Sequence, residues 1–345
     1  MLRGSIVVWV FLLLGLALGQ DTRVVNILDP STANNREVTR LLIWVSVFAA
    51  LIFIVVTGAL TYTVIKFRRR GNEQGEPPQF HGNDRLEIIW TVIPTVIIVI
   101  IFGLTAQSMI ANSRFPAGAM TVKVTGYQFW WDYEYQDLGI RTSNELILPV
   151  NKPVIVEMTS KDVIHSWWPA SLVGKQDAIP GITNRLHFTP EKEGTYYGQC
   201  AELCGASHSR MRFRVIVVSQ EQFDRFVEGA KGFQAPAATD PTLAKGQQLF
   251  NQQCAACHAV QGTASANNRI APDLSYFGNR TTVGAGLWEN TDTYLIPWIK
   301  NSPGVKPGSK MPAFPQLSDE DARAIAAYVK SLKIEGLDFE GLPQF

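Results

Sequence analysis

Residues 41–65 and 88–106 of this chain contain no charged side chain. At 1.5 Å of rise per residue each run is long enough, as a helix, to cross a hydrocarbon core of about 30 Å. That feature limits the fold more than any other, because a backbone in lipid must satisfy its own hydrogen bonds. The loop between the runs, KFRRRGNEQGEPPQFHGNDR, holds five Lys/Arg against three acids, which predicts a cytoplasmic hairpin loop. Both ends of a transmembrane hairpin over residues 35–110 then face outward, and everything after about residue 110 is extracytoplasmic, on the periplasmic side of the cell membrane. Residues 1–19 carry Arg3, an apolar core and Ala17-Leu18-Gly19. They read as a signal peptide, with a third membrane helix as the alternative. The low charged fraction, 18%, fits membrane segments, and a net charge of +1 argues against a nucleic-acid partner.

The second run opens with Asp84-Arg85-Leu86-Glu87. This spacing predicts a capping box, Asp84 at the N-cap and Glu87 three residues on. An acid at a membrane helix start is equally a candidate proton-path residue. Pro94 predicts a kink.

From about residue 120 to 220 the pattern changes to short β-type runs: TVKVTGYQFWW, ELILPV, PVIVEMTS, NRLHFTP, GTYYGQC and MRFRVIVV. Strands at this spacing predict an all-β sandwich or barrel. The stretch CAELCGASHSRM, Cys200 to Met211, joins two of them as a loop, and His165 lies in DVIHSWWPAS between two others. Loops at one end of a sandwich converge, so His165 can reach the Cys200–Met211 loop. Two thiolates, two imidazoles and a thioether suit copper. A mononuclear blue copper site needs one cysteine. Cys200 and Cys204 together can bridge two coppers, with His165 and His208 as terminal ligands and Met211 as a weak axial one. A Cys2His2 zinc site and a disulfide are the alternatives.

Residues 221–240 begin as a short amphipathic helix and turn Ala- and Pro-rich, which predicts a tether. After it, LAKGQQLFNQQCAACHAV predicts a helix ending in C-x-x-C-H, a c-type haem attachment signal. Cys254 and Cys257 then form the thioethers and His258 is the proximal iron ligand. No histidine follows His258, so a second imidazole from this domain is excluded. Met311, the only methionine after His258, is the candidate sixth ligand. Ser318 and Asp321 predict a capping box on a last helix.

The motifs HSWWPAS, QDAIPGITNRLHF and YYGQCAELCGASHSRM, with LEIIWTVIPT and TGYQFWWDYEY, resemble subunit II of the haem–copper cytochrome c oxidases. Residues 241–345, with the M-P context of Met311 and APDL, resemble a class I cytochrome c; together they resemble the oxidase subclass whose subunit II ends in its own haem c. The resemblance implies a multidomain chain: a two-helix transmembrane hairpin, a cupredoxin-like sandwich and an all-α cytochrome c domain. It implies a binuclear CuA centre held by His165, Cys200, the Glu202 carbonyl, Cys204, His208 and Met211. It further implies a magnesium or manganese ion shared with subunit I at the Glu202 carboxylate, and a proton-path role for Glu87. Phe129 falls where the family usually has an aromatic that receives electrons, commonly Trp, and Trp130 and Trp131 follow it. Docking of a free cytochrome c by that route is therefore not expected. The implied function is electron input to a proton-pumping oxidase, from an external donor such as a cytochrome c, through haem c and copper, to haem in subunit I, with other oxidase subunits as partners. Two other readings stay open: the copper subunit of a nitric oxide reductase, and a membrane-anchored carrier with no catalytic partner.

Overall fold

The computed structural model describes residues 27–68, 71, 75 and 82–345; the predicted signal peptide and most of the basic loop lie outside the described residues. The chain divides into two units, residues 36–114 and a larger one holding the remainder. The smaller unit carries two helices, α1 (Ala33–Phe67) and α2 (Asp84–Asn112), both apolar and long enough to cross a membrane. Along α2 the hydroxyls of Thr91 and Thr95 donate to the carbonyls of Glu87 and Thr91, so these polar groups are satisfied within the helix. The helix runs on through Pro94. Its cap corrects the sequence reading: Asn83, not Asp84, is the N-cap, and its side chain accepts from the backbone N–H groups of Arg85 and Leu86 at 3.1 and 3.2 Å. Asparagine is as good a cap as aspartate, and using it moves Glu87 one position past the reciprocal capping partner.

The larger unit begins with a β-sandwich. One sheet has the order β3-β2-β1-β5-β8: β1 Met120–Tyr127, β2 Trp130–Tyr135, β3 Ile140–Ser143, β5 Val154–Ser160 and β8 Asn184–Phe188. The other has the order β4-β10-β9-β6-β7: β4 Glu145–Pro149, β6 His165–Trp168, β7 Gln176–Ala178, β9 Gly194–Cys200 and β10 Arg212–Val218. TVKVTGYQFWW is thus two antiparallel strands, closing at Tyr127 opposite Trp130. Strict alternation of buried and half-buried residues along β5 shows the period of two that a half-covered strand requires. Strands β3, β6 and β7 have weak β-type patterns of their own and are strands because neighbours pair with them, β6 through Trp167 opposite Cys200. Between the layers Trp167 stacks on Phe213 at 5.2 Å, and Trp131 meets Phe213 edge-on at 5.8 Å.

Residues 220–231 form α3 (Gln220–Lys231), capped by Ser219. Its Phe223 and Phe226 are buried against Tyr135, and Phe226 also meets Tyr276 at 6.1 Å. Phe233, just beyond, is buried edge-on to Tyr276. The first half of residues 221–240, read as an amphipathic helix, is therefore a helix packed on both sides.

The C-terminal part is helical: α4 (Pro241–Gln253), α5 (Asp292–Val305, broken at Asn301) and α6 (Asp319–Ser331), with a short ladder of β11 (Thr282–Val283) and β12 (Trp288–Glu289). The Ser318–Asp321 capping box starts α6 as the sequence predicts. Helix α4 crosses α6 at Gly246, where a Cβ would fall 2.0 Å from the Ala324 carbonyl oxygen, so only glycine allows the approach. Phe250 packs on Tyr328 beside the crossing.

This helical part is seated on the sandwich. The Glu145 carboxylate, 2% exposed, accepts from the backbone and hydroxyls of Thr281 and Thr282. Arg214 donates to the Gly286 carbonyl, and residues 343–345 pair with the open edge of β9 at Thr195 and Tyr197.

Candidate redox centres

The first centre forms where the Cys200–Met211 loop meets the start of β6. Cys200 ends β9, and its backbone N–H donates to the Met211 carbonyl, which closes the loop on itself. The two sulfurs stand 3.8 Å apart. His165 presents Nδ1 to Cys200 Sγ at 3.9 Å, and His208 presents Nδ1 to Cys204 Sγ at 3.7 Å. Met211 Sδ lies 3.9 Å from Cys204 Sγ, and the Glu202 carbonyl oxygen lies 3.2 Å from Cys200 Sγ. Each thiol thus has one imidazole and one weak donor beside it. The Glu202 side chain is exposed. His165, Cys200 and Met211 are buried, and the ligand atoms of His165, Cys200 and Cys204 lie within 4.8 Å of one another.

The electrostatics favour a cation. A hydrogen bond from Cys204 brings the Cys200 thiol well below the usual range. The same contact, with burial, holds the Cys204 proton on. Two thiols this close release one proton readily and the second only when a positive charge takes its place. Burial alone lowers the His165 pKa, but the contacts with Cys200 and Asp162 outweigh it and leave it raised. Asp162 Oδ1 bonds His165 Nε2 at 2.8 Å, so the outward nitrogen is occupied and Nδ1 is turned to the sulfurs. The backbone N–H groups of Gln128 and Val163 also donate to this carboxylate, which lies below the ordinary carboxylate range. Two thiolates, two imidazoles on opposite sides and two weak donors fit copper, whose preference is for sulfur and imidazole.

The second centre is a cavity of about 340 Å³ lined by Cys254, Cys257, His258 and Met311. Its other walls are largely apolar, among them Phe250, Leu274, Leu295 and Val329. The His258 ring sits beside the Pro272 carbonyl at 2.7 Å through Nδ1, and burial keeps the imidazole neutral. Its Nε2 lone pair is then free for a metal. Arg280 also lines the cavity; its buried Nε has no partner, and burial lowers its pKa. A planar apolar macrocycle with carboxylate side arms fits this set: thiols for attachment, an imidazole and a thioether for iron, and a guanidinium for a carboxylate.

The aromatic run links the two. Phe129 and Trp130 line the cavity, whereas Trp131, fully buried, meets the His165 ring edge-on at 5.7 Å. Gln128, beside Phe129, lines the cavity and donates through Nε2 to the Cys204 carbonyl at 2.6 Å. Sequence reasoning missed Gln128, Asp162, Arg280 and Lys306, which also lines the cavity. Only Asp162 left a signal, its D-x-x-H spacing from His165.

Fold and site define a class: a protein in which a sulfur-rich candidate metal site on a β-sandwich adjoins a cavity lined by a C-x-x-C-H motif, both carried on a chain with two apolar helices. Residues 21–106 match the transmembrane domain of cytochrome c oxidase subunit II, residues 138–220 its periplasmic domain, and residues 243–333 cytochrome c. Cytochrome c oxidase subunit 2 of Alkalihalophilus pseudofirmus is 37% identical over 314 residues, 89% of this chain and 90% of that protein. The subunit of Bacillus sp. strain PS3 is 36% identical, over 78% of this chain and 80% of that one. The crystal structure of the periplasmic domain of subunit II of cytochrome oxidase from Bradyrhizobium japonicum is 36% identical; it covers 34% of this chain and 97% of its own, with a TM-score of 0.33. The chain belongs to the cytochrome c oxidase subunit II family, in the form that carries a C-terminal cytochrome c domain. It is part of a haem–copper oxidase, an oxidoreductase.

Proposed function

We propose that this subunit takes electrons from an external donor onto haem c and passes them through a binuclear CuA centre to haem in subunit I, where oxygen is reduced to water and protons are pumped. When bound, the haem would supply one-electron iron chemistry and the copper pair a second one-electron centre. The rest is the work of this chain's residues. Cys254 and Cys257 would anchor the macrocycle, and His258 and Met311 would hold its iron. Cys200, Cys204, His165, His208, Met211 and the Glu202 carbonyl would hold the copper pair. Glu202 Oε atoms, exposed at this edge, suit a hard cation such as magnesium or manganese shared with subunit I. Trp131, Trp130 and Phe129 would carry the electron between the two centres.

The observation that carries the reading is the shared wall: Phe129 and Trp130 line the haem cavity, and the next residue in the strand packs on the His165 ring. A haem domain already seated there supports internal rather than collisional delivery, and leaves the external donor to meet the exposed side of the haem domain. The basic loop supports an extracytoplasmic side for both centres.

Cys200→Ser in the purified complex tests this. The near-infrared copper absorption disappears, the haem c bands remain, and electrons accumulate on haem c. A variant that keeps the copper band overturns the bridging assignment. Zinc, or a single copper per chain in fully loaded wild type, overturns it as well.

A further inference from the structure

Lys306 is 2% exposed, although it is a lysine and neither centre needs it as a ligand. Its ammonium donates to the Phe129 carbonyl of the β1–β2 turn at 2.8 Å and to the Gly284 carbonyl of the β11–β12 turn at 3.0 Å. Among the described residues no carboxylate forms an ion pair with it. Burying an unpaired ammonium is costly, and two carbonyl dipoles offset only part of that cost. Burial pulls its pKa from 10.5 to about 7, with Cys204 acting to raise it and Arg210 to lower it. A residue needed only for packing has no reason to be charged.

Its surroundings join the two centres. The Val305 carbonyl accepts from Arg210, and the Pro307 carbonyl accepts from the Ser207 hydroxyl, so both flanks of Lys306 are tied to the loop that carries Cys204, His208 and Met211. At Gly308 a Cβ would come within 3.1 Å of the Phe129 ring and 3.3 Å of Ala206. Three residues further on is Met311. Lys306 itself lines the haem cavity, whose other charged walls are Asp162, Arg280 and Lys310.

We propose that Lys306 is the positioning residue of the haem-to-copper step: a buried cation at the seam that raises the haem potential and whose two hydrogen bonds fix the haem pocket against the copper loop. The inference rests on the functional reading above. A nearby positive charge in a low-dielectric seam favours the reduced form of a centre, because each added electron lowers that centre's charge by one. Reduction in turn raises the proton affinity of the lysine, and the proton comes from solvent. Above its pKa near 7 the ammonium loses its proton and the haem potential falls; below it the potential is held up.

The test is a spectroelectrochemical titration of haem c in the purified oxidase between about pH 6 and about pH 9, for wild type, K306M and K306R. The wild-type potential falls as pH rises through neutrality. K306M is lower than wild type at the acid end and flat with pH. K306R is also flat but stays near the wild-type acid value, since guanidinium does not titrate there. K306M tracking wild type at every pH overturns the proposal. If K306M fails to assemble, a wild-type slope that persists in K306R overturns it instead. A wild type without haem c bands or without near-infrared copper absorption would sink the underlying reading, not this assignment.

Discussion

Asp162 answers four donors with one carboxylate: the His165 ring, the Gln128 N–H, the Val163 N–H and, at 3.5 Å, the Lys310 ammonium. Asparagine keeps the shape but turns an N–H2 toward one of those donors, so one contact must break. Partners that orient a ligand in this way are worth roughly 10–100-fold in metal affinity. Asp162→Asn is therefore expected to release copper to a chelator at correspondingly lower chelator concentration, with the haem c spectrum unchanged. Copper retention equal to wild type would reduce Asp162 to a turn residue. Glu87 presents the opposite case. The cap on α2 is Asn83, so the Glu87 carboxylate is not used in a capping box and lies exposed at the helix start. We expect Glu87→Gln to slow oxygen turnover while leaving both metal spectra and helix stability intact. Full turnover would remove it from the proton path.

Among elements, α3 shows where sequence patterning stopped being informative. Its amphipathic start was legible, but nothing local told that Phe226 would sit between Tyr135 of the sandwich and Tyr276 of the haem domain. The donor sets were legible because their chemistry repeats at short spacing: C-x3-C with a nearby histidine and methionine, and C-x-x-C-H. Strand β6 was not, since HSWW has no alternation and becomes a strand by pairing with β7 and β9. The Lys306–Phe129 contact joins residues 177 positions apart, and no local pattern encodes such a pair. Phe226, 1% exposed, is the wedge that makes α3 structural. Phe226→Ala is expected to cost about 3–5 kcal/mol through lost burial and a residual cavity. Thermal unfolding followed at the haem and at tryptophan fluorescence should show both midpoints fall together. A drop in only one would mean α3 belongs to that domain alone.

At the scale of the whole chain, the question is whether sandwich and haem domain unfold as one body. Glu145 is the group on which the seam depends most. Its carboxylate accepts four hydrogen bonds from Thr281 and Thr282; Glu145 and Thr282 are buried and Thr281 is half-buried. Glu145→Ala leaves two backbone N–H groups and two hydroxyls facing a cavity. Each unsatisfied buried donor costs about 1–3 kcal/mol, so the loss exceeds what the remaining seam contacts of Arg214 and the C-terminal residues are expected to recover. Glu145→Gln is milder, because an amide oxygen in the place of Oε1 still accepts three of the four. Calorimetry of the detergent-purified complex should show the extramembrane transition of wild type split into two in Glu145→Ala, haem domain and sandwich melting separately, with Glu145→Gln between. Electron transfer from haem c to copper should slow in the same order while both optical spectra persist, since neither ligand set includes Glu145. An unsplit transition and an unchanged rate would mean that the domains are held by their chain connection and apolar contacts, with the buried carboxylate contributing nothing to their registry.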